Sequence, residues 1–510
     1  MLSSAATMIV RLLKDTLKGI SMARHRVEHV FTREELQHRL GAVVGKTLGE
    51  IDSSRVFRKT EDNPKVTGIA GDVIEQSVLG YPADNVQEPD LVVDGIPTEL
   101  KTTGVRKAKK QEGLEAKEPM SITGVSLGQI CNEEFESSSF WHKLEHMLIV
   151  YYLYDSDTTV SAAEYASFPI KGYQFHEFGA EERSMLKNDW TLIRDFIRKI
   201  HEKCSTEEGR KREYPRLSSA LRNELLLIDT APKYPHPPRF RLKRSTVTAM
   251  ARACFGETME RLPQEYATKS SIDRQLSYIA RRYAGKTIGE IFDDLGLAAP
   301  RQSKNLAEMM TVRVFGGTGK MRNVDLFAKI GLQVKSISLN REGKRTEDMK
   351  LFPLDFEEMS DAAISFEDSS FHEYFSERPI LCIVFQEQGP KTPLADNRFC
   401  GFKWLQFDDA FMQDEVKRTW EDIRRLVIFG ELKLEYVIDA RTGKPKINKT
   451  GEVSSAPNLP KSRDHIVFAR GTSSDSTHKP LLVNGLSIYR QQIWIKGSYV
   501  IGKLDEVDWI

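Results

Sequence analysis

The sequence lacks several features that would assign it to common classes of protein. No stretch of about 18 residues is both apolar and free of charge, which excludes a membrane-spanning helix. The five cysteines are odd in number and widely spaced, so they offer neither a disulfide framework nor paired zinc ligands. The formal net charge is only +1, so no overall field attracts the chain to nucleic acid. We therefore expect a cytoplasmic protein without a membrane partner, in which any nucleic-acid contact comes from local basic patches.

What the sequence does contain is a repeated segment. Residues 45–51 (GKTLGEI) return as residues 285–291 (GKTIGEI). A single repeat at so long a spacing favours two large domains over a solenoid, whose periods are tens of residues. The length of 510 residues is also that of two or three domains. We predict a helical N-terminal extension over residues 1–30, a first domain over residues 31–262 and a second domain over residues 263–510.

Hydrophobic patterns predict the elements of the first domain. Residues 71–79 carry apolar side chains at helical spacing. Residues 91–93 and 97–102 have the composition of two short strands, and Asp94-Gly95 between them favours a hairpin turn. Residues 147–154 (MLIVYYLY) form an apolar run that is typical of a buried central strand.

Two acidic residues and a lysine of the predicted hairpin form the candidate catalytic set. Glu99 and Lys101 are two positions apart on one strand, so their side chains project from the same face, and Asp90 precedes the neighbouring strand. Carboxylates on adjacent strands provide the hard oxygen ligands that Mg²⁺ prefers. A lysine beside the metal can hold an attacking water and offset charge on a phosphoryl group. The set predicts phosphodiester hydrolysis.

Two further residues are predicted near this set. Glu75 lies on the preceding predicted helix, from which it can reach the same pocket, and Lys143 lies in the segment that leads into the apolar strand. Each residue also has a less specialised interpretation. Glu99 and Lys101 are compatible with a surface ion pair on an exposed hairpin, Glu75 with a solvated helix face, and Lys143 with a charge flanking a buried strand.

The second domain is predicted to repeat the order of elements without the acidic set. Residues 306–315 take the place of the helix, residues 324–337 the place of the hairpin and residues 379–385 the place of the central strand. The residues at the catalytic positions are Thr311 for Glu75, Asp325 for Asp90, Gln333 for Glu99 and Lys335 for Lys101. This asymmetry predicts one active centre beside a degenerate copy.

These motifs resemble the MutH mismatch-repair nuclease family. The resemblance rests on Gly71-x-x-x-Glu75, on Asp90 with Glu99-Leu100-Lys101, on His142-Lys143-Leu144, and on residues 240–252 as the family's last strand and helix. The duplicated length resembles the two-domain, GATC-cutting type II restriction endonucleases related to MutH, in which the N-terminal half cuts and the C-terminal half binds DNA. The implied fold is α/β, with two tandem PD-(D/E)xK domains, each a mixed sheet flanked by helices.

The resemblance also implies roles for individual residues. Asp90, Glu99 and the carbonyl of Leu100 would bind Mg²⁺, and Glu75 would bind the metal or its water. Lys101 would position the attacking water, and Lys143 would support the charged phosphate.

DNA recognition is implied for a basic segment and for the last strand. The family's Arg-Pro-Lys loop has its nearest match here in Tyr214-Pro215-Arg216, and Arg241 stands where the family has an aromatic residue. The residues that we expect to contact DNA are Arg210, Lys211, Arg212, Tyr214, Pro215, Arg216, Arg241 and Lys243. A solvated run of charge is the alternative for residues 209–216. Residues 202–216, 232–238 and 444–476 are expected to be loops, one of which would act as a DNA arm or lid.

The sequence therefore predicts a Mg²⁺-dependent type II restriction endonuclease that cuts double-stranded DNA at a short site, expected to be GATC, and leaves 5′-phosphate ends. Dimerisation on DNA through the second domain would allow both strands to be cut. Two other functions stay open: a mismatch-repair nickase, which would need only one copy of the domain, and a DNA-binding protein without catalytic activity, which the acidic set opposes.

Overall fold

The computed structural model describes most of the chain after residue 28. The described residues are 29–510 apart from 65, 83–87, 109–112, 157–159, 299–304, 345–346, 363, 390–391, 440, 448–450, 452 and 473–477. The predicted N-terminal helical extension lies outside them. Within these residues no helix is long and apolar enough to cross a membrane.

The first half consists of strands interleaved with helices. Its strands are β1 (Val30–Phe31), β2 (Leu91–Val93), β3 (Ile96–Lys107), β4 (Leu114–Ala116), β5 (Met120–Gly124), β6 (Met147–Leu153), β7 (Ile170–His176), β8 (Ile228–Ala231) and β9 (Arg239–Leu242). Its α-helices are α1 (Arg33–Gly41), α2 (Leu48–Ile51), α3 (Lys59–Asp62), α4 (Ile69–Val73), α5 (Ser139–Glu145), α6 (Ala180–Lys203), α7 (Glu207–Glu213), α8 (Leu217–Leu221) and α9 (Arg244–Cys254).

A mixed sheet forms the centre of the first half. Its order is β1-β2-β3-β6-β7, with β4 also paired to β3. Strands β3 and β6 are parallel, and β2 and β7 run antiparallel to their neighbours β3 and β6. The predicted hairpin is confirmed: Asp94 (φ 50°) and Gly95 (φ 84°) both have the positive φ that a tight two-residue turn requires. The mixed sheet with flanking helices is the α/β class expected from the sequence.

Strand β6 is buried on both faces, as its apolar run predicts. Leu148 and Val150 belong to one hydrophobic cluster, and Met147, Ile149 and Tyr151 belong to another on the opposite face. Alternate residues of a strand point to opposite faces, so the sheet is covered by apolar side chains on both sides. The strand register therefore fixes which residues of β3 face each layer.

The helix predicted over residues 71–79 is present, but it changes its winding. Helix α4 covers Ile69–Val73 and continues as a π-helix over Ile74–Leu79. The helix ends at Gly80, whose φ of 86° is the left-handed conformation that glycine adopts most easily. The wider π turn shifts the directions of the side chains that follow Ile74, among them Glu75.

The second half also consists of strands interleaved with helices. Its strands are β10 (Gln333–Leu339), β11 (Met349–Pro353), β12 (Ile380–Gln386), β13 (Arg398–Leu405), β14 (Leu434–Tyr436), β15 (Ser455–Pro457), β16 (Val467–Thr472), β17 (Leu481–Val483), β18 (Leu486–Ile488) and β19 (Arg490–Ile495). Its α-helices are α10 (Lys269–Tyr283), α11 (Ile288–Asp294), α12 (Leu306–Val314), α13 (Asp325–Ile330), α14 (Phe356–Ser360), α15 (Ser370–His372), α16 (Asp409–Phe411), α17 (Arg418–Ile428) and α18 (Gly497–Asp505).

The central strands of the two halves pair in the same way. Strands β10 and β12 are parallel and β12 and β13 antiparallel, as are β3 with β6 and β6 with β7. In the first half Glu99 lies opposite Met147, and in the second half Gln333 lies opposite Ile380. Gln333 thus occupies the place in its sheet that Glu99 occupies in the first, opposite the first residue of the central strand.

The second half does not repeat the hairpin that carries Asp90. Residues 324–337 were expected to form two strands, but Asp325 begins helix α13, and only β10 follows. The carboxylate of Asp325 lies 2.5 Å from Lys329, one turn further along the same helix. Asp325 is therefore not the spatial counterpart of Asp90, and the expected correspondence between these two residues is wrong.

The repeated Gly-Lys-Thr motif forms the same structure in both halves. Thr47 and Thr287 each begin a short helix with a capping box, in which the threonine and a glutamate three residues later satisfy each other's backbone N–H groups. Gly45 and Gly285 have φ of 86° and 75°, and each donates its N–H to the strand that follows the central one. The motif is thus a helix start, and its lysine needs no catalytic explanation.

A small antiparallel sheet also recurs, which the sequence did not predict. In the first half the order is β5-β9-β8, and in the second half it is β11-β19-β16. The outer strands β5 and β11 each contain a register shift at the same point relative to the central strand. A helix follows the central strand in both cases, α9 after β9 and α18 after β19.

The apolar interior is continuous between the halves. One hydrophobic cluster contains Trp190 and Leu242 from the first half together with Tyr283, Phe315 and Phe327 from the second. Polar contacts reinforce this packing: the hydroxyl of a serine in α9, Ser245, donates to the main-chain carbonyl of Lys329 at 2.8 Å. The boundary predicted between residues 262 and 263 falls in the connection between α9 and α10, where Leu262 and Tyr266 pack into the shared cluster.

Candidate active site

Asp90 is held beside strand β3 by a main-chain hydrogen bond. The N–H of Leu100 donates to Asp90 Oδ2 at 3.0 Å, which turns the carboxylate towards the middle of the predicted hairpin. Burial and the neighbouring charge of Glu99 raise the pKa of Asp90 to about 6. Lys143 and Lys101 act in the opposite direction but do not cancel the increase. Two carboxylates placed this close create a site that favours a cation.

Glu99 is at the centre of the set. It is only 1% exposed, and a buried carboxylate requires opposite charge and hydrogen bonds. Lys101 Nζ lies 2.6 Å from Glu99 Oε1, and Lys143 Nζ lies 2.9 Å from Oε2 and 3.1 Å from Oε1. The predicted pairing of Glu99 with Lys101 on one face of β3 is therefore observed, and its less specialised interpretation as an exposed surface pair does not fit.

Lys143 reaches Glu99 from a helix rather than from the mouth of a strand. Ser138 caps helix α5 by accepting the N–H of Trp141 at 3.1 Å, and the aromatic and leucine side chains of α5 pack into the core. Lys143 is buried, and its Nζ also donates to the carbonyl of Glu88 at 3.2 Å. The sequence placed Lys143 at the correct pocket but on the wrong kind of element, because the helix is short and runs directly into β6.

The donor atoms fit a small divalent cation. Glu99 donates its N–H to the carbonyl of His146 at 2.9 Å, on the β6 side of the strand. Successive residues of a strand direct their main-chain groups to opposite edges, so the carbonyl of Leu100 faces the same edge as its N–H, towards Asp90. Among the described residues no group of three or more His, Cys, Asp or Glu side chains could hold a metal. Two carboxylates and one carbonyl suit Mg²⁺, which keeps several waters.

Glu75 is half-buried on the π-helical turn, and its main-chain carbonyl accepts the N–H groups of Gly80 and Tyr81 at 2.8 and 3.0 Å. These bonds fix the backbone at the end of the helix. The role of the Glu75 side chain at the metal stays a prediction.

The basic segment predicted to contact DNA is helical, not a loop. Arg210, Lys211 and Arg212 lie on helix α7. Arg210 Nε donates to the carbonyl of Cys204 at 2.8 Å, and Lys211 lies 2.5 Å from Glu207 one turn earlier. The capping threonine and the acidic first turn explain why a polar tract forms a helix here. Lys211 and Arg212 are exposed and remain candidates for DNA contact.

Tyr214, Pro215 and Arg216 form a 3₁₀ turn after this helix. Arg216 is exposed and lies 2.7 Å from Glu213. Tyr214 is buried, with its hydroxyl 2.8 Å from His201 Nε2. The expectation that the Tyr214 side chain contacts DNA does not fit this position, because the ring packs into the core.

Arg241 of strand β9 and Lys243, which follows that strand, are also engaged inside the protein. Arg241 donates to both carboxylate oxygens of Asp229, at 2.8 and 3.0 Å. Lys243 is 3% exposed, and its Nζ donates to the carbonyl of Leu225 at 2.6 Å. Burial lowers the pKa of Lys243, because a charged ammonium group is poorly solvated inside the protein. Direct DNA contact by Lys243 therefore does not fit the structure, whereas Arg241 keeps a partly exposed side chain.

Sequence reasoning missed a buried acid that builds this region. The carboxylate of Asp189 is fully buried and accepts the N–H groups of Leu226, Leu227 and Ile228 at 2.8–3.2 Å. It thereby fixes the start of β8, the strand that carries Asp229. The signal available in the sequence was Asp189 itself, which is an acidic residue on the apolar face of the amphipathic helix α6.

Comparisons with known proteins agree with this geometry. Residues 79–189 match the family described as DNA mismatch repair enzyme MutH. The chain is 23% identical over 441 residues to the type II restriction enzyme Sau3AI of Staphylococcus aureus, covering 82% of this chain and 84% of that protein. It is 27% identical to the DNA mismatch repair protein MutH of Haemophilus influenzae strain PittGG, over 31% of this chain and 70% of that protein. For the MutH protein of Shewanella woodyi the identity is 32%, over 32% of this chain and 66% of that protein.

These matches define the class of protein. The chain contains a region that matches the MutH family and is similar over most of its length to a type II restriction enzyme, so the resemblance inferred from its motifs is confirmed. The matched MutH region contains Asp90, Glu99, Lys101 and Lys143, and it ends at Asp189. The similarity to the restriction enzyme extends over most of the chain, which supports an enzyme of the site-specific deoxyribonuclease class.

Proposed function

We propose that this protein is a cytoplasmic, Mg²⁺-dependent type II restriction endonuclease that cuts double-stranded DNA at a short site, GATC, and leaves 5′-phosphate ends. The observation that carries the proposal is the convergence of Asp90, Glu99, Lys101 and Lys143 within the MutH-like region. The relationship over most of the chain to a type II restriction enzyme supports the same reaction class.

In this proposal Asp90, Glu99 and the carbonyl of Leu100 hold the metal, and Glu75 holds the metal or one of its waters. A bound divalent ion would supply Lewis acidity at the scissile phosphate. Lys101, with a 20% exposed side chain, moves from Glu99 to the attacking water. Lys143, which is 8% exposed, stays on Glu99 and offsets the negative charge of the phosphate.

The second half is proposed to be a degenerate copy that binds DNA. Gln333 replaces the central glutamate at the equivalent place in its sheet, and Thr311 is fully buried in helix α12. An amide cannot provide the charge of a carboxylate ligand. The recurring sheets and the recurring capping motif support an origin by duplication. With one active centre per chain, we propose that two chains associate on DNA through their second halves to cut both strands.

Two other functions are less well supported. A mismatch-repair nickase needs one domain, whereas the similarity to the restriction enzyme covers 82% of this chain. Burial of a charged side chain lowers the stability of a protein. A protein that only binds DNA would therefore gain nothing from a glutamate buried between two lysines.

The experiment that tests the proposal is digestion of a plasmid of known sequence with Mg²⁺. We expect discrete fragments whose ends map to GATC and carry 5′-phosphates. A Glu99→Gln variant should bind the same DNA but leave it intact. Nicked plasmid alone from the wild type would favour the nickase, and intact plasmid from both proteins would favour the binding protein.

A further inference from the structure

A projecting segment of the second half is not explained by the active site. Its stem is the antiparallel ribbon of β14 and β15. Beyond the stem, isolated bridges join Ile438 to Pro445 and Ile447 to Val453. We refer to the described residues between 433 and 457 as the arm.

The arm exposes large apolar side chains. Tyr436 is 68% exposed, Ile438 is 53% exposed and Ile447 is 64% exposed. Leu434 and Tyr436 are two positions apart on β14, so they project from the same side of the ribbon, and Ile438 follows two residues beyond the end of that strand. Contiguous apolar surface on a folded protein marks a place where another molecule binds.

Cations surround this apolar stripe. Arg441, Lys444 and Lys446 are exposed, and none of them has an ion-pair partner in the part of the chain that the structure describes. Three cations beside apolar side chains suit a polyanion that also offers apolar contacts in a groove. Duplex DNA is such a ligand, because its phosphates are negative and its major groove presents thymine methyl groups.

The acidic residues of the arm do not cancel this charge. Glu435 Oε2 lies 3.0 Å from Lys461 Nζ, at the base of the arm. Asp439 Oδ1 accepts the main-chain N–H groups of Arg441 and Thr442, both at 2.9 Å. Neither carboxylate forms an ion pair with Arg441, Lys444 or Lys446 among the described residues, and the described part of the arm carries four cations, Lys433 and these three, against the two carboxylates. Two such surfaces would repel each other, which argues against a second copy of the chain as the occupant.

The position of the arm in the fold corresponds to that of a basic segment in the first half. It lies between helix α17 and strand β16. The corresponding interval of the first half, between α6 and β8, contains the basic helix α7 with Lys211 and Arg212. The two halves therefore place exposed cations in the same interval of their topology, but on a helix in the first and on a ribbon in the second.

We propose that the arm inserts into a groove of duplex DNA, with Lys444 and Lys446 on the phosphates and with Tyr436 and Ile438 against the base pairs. A two-stranded ribbon fits the major groove, and apolar side chains of groove-binding proteins contact base steps. This inference rests on the proposed function, because it assigns the DNA contact of the second half to particular residues.

The test uses the full chain in a Glu99→Gln background, so that DNA is bound and not cut. Binding to a labelled GATC duplex is measured over a range of salt concentrations for K444Q/K446Q, for Tyr436→Ala and for R418Q/R425Q. Arg418 and Arg425 are exposed on helix α17 of the same half and form the matched control. Each lost phosphate contact lowers the slope of log affinity against log salt by about 0.9.

We expect K444Q/K446Q to lower the slope by about 2 and to weaken binding roughly tenfold at moderate salt. Tyr436→Ala should weaken binding about fivefold with the slope unchanged, and the control pair should bind as the parent does. Equal affinities and slopes for the parent and both arm variants would overturn the inference. So would a fall in the mass of the DNA-free protein on sedimentation of Tyr436→Ala, which would assign the arm to self-association. If the parent itself fails to bind DNA, the proposed function fails instead.

Discussion

Lys143 Nζ lies 2.9 Å from Glu99 Oε2, although the two residues are 44 positions apart in the chain. Helix α5 carries the lysine and strand β3 carries the glutamate, and parallel pairing of β3 with β6 brings the two elements together. The contact therefore depends on the tertiary fold, and it gives the buried carboxylate a second cation besides Lys101. Without it, Glu99 would be a buried charge with a single partner.

Replacing Lys143 by methionine should slow DNA cleavage about a hundredfold or more, since a charge aimed at the reacting phosphate is worth that much in comparable sites. Single-turnover cleavage at saturating enzyme measures the effect apart from DNA binding. Lys187→Met is the matched control, because Lys187 forms an exposed pair with Glu136. Equal rates for the Lys143 variant and the wild type would remove Lys143 from the proposed machinery.

Lys101 and Lys335 should behave differently although they hold the same place in their sheets. Lys101→Ala should abolish measurable cleavage and keep DNA binding, because Lys101 touches Glu99. Lys335→Ala should cut at close to the wild-type rate, because Lys335 Nζ instead donates to the carbonyl of Lys350 at 3.1 Å. Plasmid digestion of the two variants side by side is the measurement. Comparable loss in both would show that the second half contributes to the chemistry.

Cleavage should depend on pH through Asp90. Its pKa is raised to about 6 by burial and by Glu99, so protons compete with metal below that pH. The rate should fall as the pH drops through 6, and the midpoint should move to lower pH as Mg²⁺ rises, because a cation favours the charged carboxylate. Rates between pH 5 and pH 8 at two Mg²⁺ concentrations test this expectation. A midpoint pH that does not change with Mg²⁺ concentration would show that a group other than Asp90 titrates.

The same shift has a consequence for folding without metal. The folded state holds the Asp90 proton up to about pH 6, whereas a carboxyl in the unfolded chain loses it near its ordinary value of 3.8. Stability contributed by this proton is present below pH 3.8 and is lost as the pH rises towards 6. Asp90→Asn should make the metal-free protein more stable at pH 8, as measured by urea denaturation.

Glu373 should be important for the contact between the halves. Its carboxylate lies 2.6 Å from Arg244 of the first half and also pairs with Arg378. Burial opposes its ionisation, but the two arginines outweigh burial and hold the pKa of Glu373 at about 2. Glu373→Gln should therefore lower the free energy of unfolding at pH 7 by about 3 kcal/mol, because two arginines lose their counter-charge.

Urea denaturation at pH 7 measures this change, and Glu367→Gln, at an exposed position, is the control. The depressed pKa means that the stabilisation by Glu373 is present above its ordinary pKa of 4.5 and disappears as the pH falls towards 2. An unchanged midpoint for Glu373→Gln would show that the interface does not depend on this charge.

The parts of the site that the sequence predicted correctly are those with local signals. The alternation of Glu99 and Lys101, the Asp94-Gly95 turn and the apolar run of β6 each depend on a few neighbouring residues. Helix α5 gave no such signal because it is short and continues directly into β6. Asp325 matched Asp90 in spacing alone, and spacing does not distinguish a helix start from a strand.

Burial of polar residues was the main source of error. Tyr214 and Lys243 belong to chemical types that contact DNA in many proteins, and the sequence assigned them that role. Their actual partners, His201 and the carbonyl of Leu225, are brought near by packing between separate elements. No pattern of spacing in one sequence contains that information, because it depends on how elements that are separate in the chain pack against one another.

The apolar cluster that joins Trp190 to Phe315 and Phe327 bears on how such a chain can change over generations. Each square ångström of that surface left bare would cost about 25 cal/mol. Substitution of acidic residues in the second half would change stability little. Deletion of the whole half would expose the apolar side chains of the first half that it covers. Under the proposed duplication, the second half would be retained because its apolar side chains complete the core of the first half, and it could acquire a new role without having to fold alone.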